Sequence, residues 1–72
     1  MNIQWEMKSS ANCSVTLINM QGLEVANIFQ GNLGSGKQML QHQLDTTLSD
    51  GLYLVKIVVG EEIRYKKVVI KN

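Results

Sequence analysis

The C-terminal third of the chain reads as one β-hairpin. Gly51-Leu52-Tyr53-Leu54-Val55-Lys56-Ile57-Val58-Val59 and Ile63-Arg64-Tyr65-Lys66-Lys67-Val68-Val69-Ile70 are runs rich in β-branched and aromatic residues, broken only by Gly60-Glu61-Glu62. A three-residue loop at Gly60-Glu61-Glu62 sets Val59 opposite Ile63, Ile57 opposite Tyr65 and Tyr53 opposite Val69, apolar against apolar. A two-residue loop would oppose Val59 to Glu62 and Ile57 to Arg64, placing charges on the buried face. The hydrophobic pattern therefore predicts the three-residue loop, with Tyr53, Val55 and Ile57 inward and Leu54 and Lys56 outward. Lys56 would then face Lys66, a like-charge pair costing about a few tenths of a kcal/mol.

The preceding residues repeat the style in shorter pieces. Ile3–Met7 alternates with Ile3, Trp5 and Met7 on one face, and Cys13–Met20 places Val15 and Leu17 opposite in direction to Thr16 and Ile18. Leu23–Phe29 follows a tight turn at Gln21-Gly22, where glycine takes positive φ without a Cβ clash. After a loop at Gly31–Gly36, Lys37–Leu44 alternates again as a fourth strand. Leu40, Leu44 and Leu48 are also spaced by four, so an amphipathic helix over Lys37–Leu48 stays open. Six short strands with turn residues between them predict an all-β antiparallel domain spanning residues 1–72, with no low-complexity linker or internal repeat.

Size and charge bound the function. Seventy-two residues build one small core and leave no room for an enzyme with a buried cleft. The formal charge of +1 is too small for a general nucleic-acid or anionic-membrane attractor, and no apolar run approaches the ~18 residues of a membrane helix. Basic residues are nonetheless concentrated late: Lys56, Arg64, Lys66, Lys67 and Lys71 all lie in the last third. The single cysteine allows no internal disulfide, and the first residues lack the basic-then-apolar pattern of a signal peptide.

Individual motifs carry little chemistry. Gly31-Asn32-Leu33-Gly34-Ser35-Gly36-Lys37-Gln38 approaches a phosphate-cradling loop, but Gln38 stands where a metal-holding hydroxyl belongs, and an antiparallel chain lacks the α/β surroundings. His42 has no companion at ligand spacing, so no metal site and no cofactor is expected. Cys13 has no basic neighbour in sequence and reads as a packing residue. Asp45, Asp50, Glu61 and Glu62 sit in turn-forming sequence as solvated charges. Asn12-Cys13-Ser14 fits an N-glycosylation sequon, and Asp45-Thr46-Thr47 is similar to a short bacterial O-glycosylation pattern of low specificity. Lysines on an edge strand also discourage edge-to-edge aggregation, besides offering a partner a handle.

The ending as a whole resembles the C-terminal sorting domain of proteins exported by the type IX secretion system of Bacteroidetes-type bacteria. Gly51-Leu52-Tyr53-Leu54-Val55-Lys56 occupies the family's Gly-x-Tyr strand, and Lys66-Lys67-Val68-Val69-Ile70 its basic-apolar last strand. Upstream, the Val15–Val25 stretch is similar to an apolar strand followed by a glycine turn, and Thr47-Leu48-Ser49-Asp50-Gly51 to the approach to the tyrosine strand. The likeness runs from about Ser14 to Asn72. The Asn-Pro opening of such domains is missing, since the chain contains no proline, so the first of seven strands is expected to be absent and a sheet edge exposed.

The resemblance implies an immunoglobulin-like β-sandwich of six to seven strands that acts as an address label rather than a catalyst. It implies the tail of a longer cargo, recognised after reaching the periplasm by an outer-membrane translocon and removed by a surface sortase, with the cargo ending secreted or at the cell surface. Gly51, Tyr53, Lys56, Lys66, Lys67 and Lys71 are the expected recognition residues. No nucleic acid and no membrane insertion is expected, and an exposed edge strand would allow a weak homodimer. The competing reading is a fibronectin-III-like accessory or carbohydrate-binding module. That reading needs an aromatic platform, whereas the chain has only Trp5, Phe29, Tyr53 and Tyr65, with Trp5 in an apolar alternation that suits a core.

Overall fold

The computed structural model describes residues 1–43 and 47–71. Leu44, Asp45, Thr46 and Asn72 lie outside the described residues; with them go the end of the expected fourth strand, the middle of Leu40–Leu44–Leu48, the start of the O-glycosylation-like triplet, and the chain's last position. Six strands follow one another: β1 Asn2–Met7, β2 Ala11–Ile18, β3 Glu24–Leu33, β4 Gly36–Gln41, β5 Gly51–Val59 and β6 Glu62–Ile70. Among the described residues there is no helix, and the reserved helical reading gives way to strand β4. The all-β expectation is borne out.

The strands form two antiparallel sheets, a ribbon of β1 and β4 and a four-stranded sheet in the order β3-β2-β5-β6. One core joins them. Ile3, Trp5 and Met7 of β1 belong to the same buried cluster as Cys13, Val15 and Leu17 of β2, Tyr53, Val55 and Ile57 of β5, and Ile70 of β6. This is the alternation expected from the sequence, and it makes the chain a β-sandwich. Val15, Leu17 and Ile57 are 0% exposed and Val55 is 1% exposed. Each such side chain stabilises the fold by roughly 1.5–3 kcal/mol, a large share of a net stability of about 5–15 kcal/mol.

Local chemistry fixes the connections. Asn19 closes the β2–β3 turn, its Oδ1 accepting from the Gln21 and Leu23 amides at 3.0 Å each, and Gly22 occupies a φ of 87°. The turn therefore begins two residues before the expected Gln21-Gly22, and β2 ends at Ile18 rather than Met20. Strand β3 is longer than expected, because Gly31, Asn32 and Leu33 continue it instead of forming a loop. The Phe29 ring explains the glycine: a Cβ at Gly31 would stand 3.3 Å from Phe29 Cζ. Only Gly34 and Ser35 separate β3 from β4, so the glycine-rich stretch is strand and tight link, not a phosphate cradle. Met1 and His42 extend the ribbon by one reciprocal pair of main-chain bonds, both 2.9 Å.

The hairpin register differs from the expectation. Val59 pairs with Glu62, Val58 with Ile63, Ile57 with Arg64, Lys56 with Tyr65 and Tyr53 with Val68. The loop is the two-residue turn Gly60-Glu61, with Gly60 at a φ of 58° and Glu61 not at positive φ, the arrangement of a type II′ turn. Lys56 therefore does not face Lys66. The physical reason is the width of the cover. Two strands spaced about 4.8 Å apart cannot blanket the inner face of four, so β2 and β5 are sealed while the edge strand β6 is covered only in part. Its inward row is charged at Glu62, Arg64 and Lys66, which stay exposed or half-buried at the ribbon's margin, and only Val68 and Ile70 reach the core.

Both edges of the four-stranded sheet carry a device against strand addition. Strand β3 bulges twice against β2, between Val15 and Thr16 and between Leu17 and Ile18. Strand β6 turns charges inward, where Arg64 Nε meets Glu62 Oε1 at 2.7 Å. The placement of Val55 at the centre of the sealed zone yields a prediction: Val55→Asp costs roughly 3–5 kcal/mol by burying an unpaired carboxylate. Thermal denaturation should show a transition lowered by tens of degrees or lost, and a melting temperature within about two degrees of wild type would refute the placement.

Candidate recognition face

The six residues singled out from sequence separate into three groups. Gly51 and Tyr53 build the start of β5. Gly51 has a φ of 150°, and Tyr53 is 8% exposed with its hydroxyl donating to the Ser49 carbonyl at 2.8 Å. The tyrosine thus pins the segment before β5 to the strand while its ring fills the core.

Lys66 forms the second group. It lies on the inward row of β6, and its ammonium donates to the Gln4 main-chain carbonyl on β1. A cation there ties the ribbon to the four-stranded sheet and caps a main-chain acceptor that would otherwise face outward. Nearby, a shallow cleft of about 420 Å³ runs past Gln4, Trp5 and Lys66 on one side and Lys37 and Gln38 on the other. Glu6 also borders it, so the charge there is mixed.

Lys56, Lys67 and Lys71 make the third group. Lys71 follows β6 and is exposed. Lys56 and Lys67 share the outer face of the four-stranded sheet, since Lys56 pairs with Tyr65 and Lys67 with Leu54, so they are diagonal neighbours on adjacent strands. Around them stand Leu52 opposite Val69 and Val58 opposite Ile63. Tyr65 is 55% exposed and Val69 76% exposed. Sequence reasoning missed this apolar setting because its register turned Ile63, Tyr65 and Val69 inward. The available signal was Gly60 itself, which suits the first central position of a two-residue turn.

The remaining candidates find structural places. Cys13 is buried, its Sγ 3.5 Å from Met7 Sδ, and burial pushes its thiol above the usual range, which keeps it protonated and unreactive at neutral pH. Among the described residues no group of acidic, histidine or cysteine side chains is arranged to hold a metal ion. Glu62 engages Arg64, and the Asn12 carboxamide accepts from Asn32 Nδ2 at 3.1 Å across β2 and β3. Trp5 is buried in the core, and its Nε1 has no hydrogen-bond partner, so packing alone holds the indole. With Tyr53 buried and Phe29 half-buried, Tyr65 is left as the one exposed ring, which is no platform for a sugar.

The fold is a β-sandwich whose four-stranded sheet carries lysines and exposed apolar side chains on the outer face of β5 and β6. The model of the secretion system C-terminal sorting domain matches residues 1–71, and the chain belongs to that family. The match extends upstream of Ser14 to Met1, further than the sequence likeness suggested. No curated protein and no solved structure gives a significant match. Domains of this family are type IX sorting signals, generally non-catalytic, recognised by the secretion machinery; they mark proteins exported through the periplasm to the cell surface or medium.

The division of labour among lysines is testable by stability. Lys66→Glu sets a carboxylate against the Gln4 carbonyl and should cost about 1 kcal/mol, lowering the melting temperature by roughly 4–8 °C. Lys67→Glu, on the opposite face, should change it by no more than about 0.5 kcal/mol. Equal melting temperatures for the two variants would contradict the assignment of Lys66 to the ribbon.

Proposed function

We propose that residues 1–72 act as one non-catalytic C-terminal address label, recognised at the outer membrane by the type IX translocon and removed at the surface by a sortase once the cargo has passed. The observation that carries this reading is the family match across residues 1–71. Exposed Lys67 and Lys71, with half-buried Lys56 beside them, supply the positive handle, while Gly51 and Tyr53 contribute by shaping the start of β5 and Lys66 by holding the ribbon. A basic, partly apolar sheet face suits recognition of a protein surface, where charge steers the encounter and apolar contact holds it.

The other partner reading, a weak homodimer through a sheet edge, has to overcome the bulges of β3 and the inward charges of β6. Light scattering at millimolar concentration tests it, and a purely monomeric solution counts against it.

The export reading is tested by fusing the domain to the C-terminus of a periplasm-targeted reporter in a bacterium with the type IX system. The reporter should reach the surface or medium, and the mass of the exported species should lack the domain. A reporter retained in the periplasm would overturn the sorting role, and one exported with the domain still attached would overturn removal.

A further inference from the structure

A sheet face that meets only water is ordinarily lined by polar side chains alternating with the buried set. The outer face here obeys that rule on one half and breaks it on the other. On β3 and the adjoining part of β2 it presents Asn12, Ser14 and Gln30. On β5 and β6 it presents Leu52, Ile63, Tyr65 and Val69, exposed by 38%, 51%, 55% and 76%. Four large apolar side chains left in solvent on adjacent strands of so small a domain mark a surface that another molecule covers.

Charge selects the occupant. Lys56 and Lys67 lie within the apolar rows, and the side-chain ion pair seen among the described residues, Arg64 with Glu62, lies on the opposite face of the sheet. A second copy stacked on the same face would bring four lysines together, and like charges forced into one interface cost several kcal/mol. Two lysines are also too few to hold an anionic membrane, at about 1 kcal/mol each. What fits is a protein surface with an apolar strip flanked by carboxylates.

We infer that the outer face of β5 and β6, centred on Tyr65 between Lys56 and Lys67, is the docking surface for an acidic, apolar strip on a protein of the secretion machinery; this rests on the sorting reading above. The apolar side chains supply the contact area, and the two ammonium groups set register and reject basic surfaces. The terminal position of β6 matters less than the direction its odd-numbered side chains face.

The reporter fusion tests this with paired variants, each purified domain also being melted to verify its fold. Tyr65→Ser with Val69→Thr, and separately Lys56→Glu with Lys67→Glu, should each reduce export at least tenfold while the melting temperature stays within a few degrees. Lys56→Arg with Lys67→Arg should export normally, as should Lys37→Glu with Met39→Thr on the equally exposed ribbon. A photo-cross-linking residue at position 65 should capture a protein in exporting cells, and that capture should disappear with Lys56→Glu and Lys67→Glu. Normal export by both outer-face variants overturns the docking surface and leaves the sorting role standing, as does equal loss in the ribbon variant. A lipid or polysaccharide adduct at position 65 overturns the protein partner. Retention of the intact fusion in the periplasm overturns both readings together.

Discussion

The shape of this domain depends on a mismatch: a two-stranded ribbon covers a four-stranded sheet. Strands β2 and β5, at the middle, are sealed on their inner face, and their alternating Val15, Leu17, Val55 and Ile57 form the driest part of the core. The outer strands are covered only in part. That single geometric fact accounts for the charged inward row of β6 and for Lys66 reaching across to Gln4 at the ribbon's margin. Apolar residues of β6 that the ribbon could not cover are placed on the other face, where they remain exposed.

Function follows from the same arrangement. A secretion signal must stay folded through transit yet remain legible at its surface. The sealed centre supplies the first requirement, and the outer face of β5 and β6 is the surface proposed for the second. Lysines adjacent in sequence consequently do different work: Lys66 secures the sandwich, while Lys67, pointing the opposite way, stays available.

Much of this was legible in the chain. Strict alternation in β1, β2 and β5 identified the core residues, because a period of two admits one buried set once one face is covered. The family resemblance rested on Gly51–Lys56 and Lys66–Ile70, and those segments are strands as expected. The β5–β6 register was not legible, because matching apolar to apolar assumes that a face is wholly buried, and an edge strand under a narrow cover breaks that assumption. Gly31 likewise suggested a loop, since nothing local reveals that the Phe29 ring lies over a strand glycine. The β3 bulges depend on pairing across the sheet and leave no local trace.

The central claim is the register that turns Lys66 inward and Tyr65 outward, and cross-strand backbone nuclear Overhauser effects measure it directly. The account predicts contacts linking Val58 with Ile63, Lys56 with Tyr65 and Leu54 with Lys67. Contacts linking Val59 with Ile63 and Lys56 with Lys66 would instead establish a three-residue turn, return Tyr65 to the core side, and contradict the recognition face.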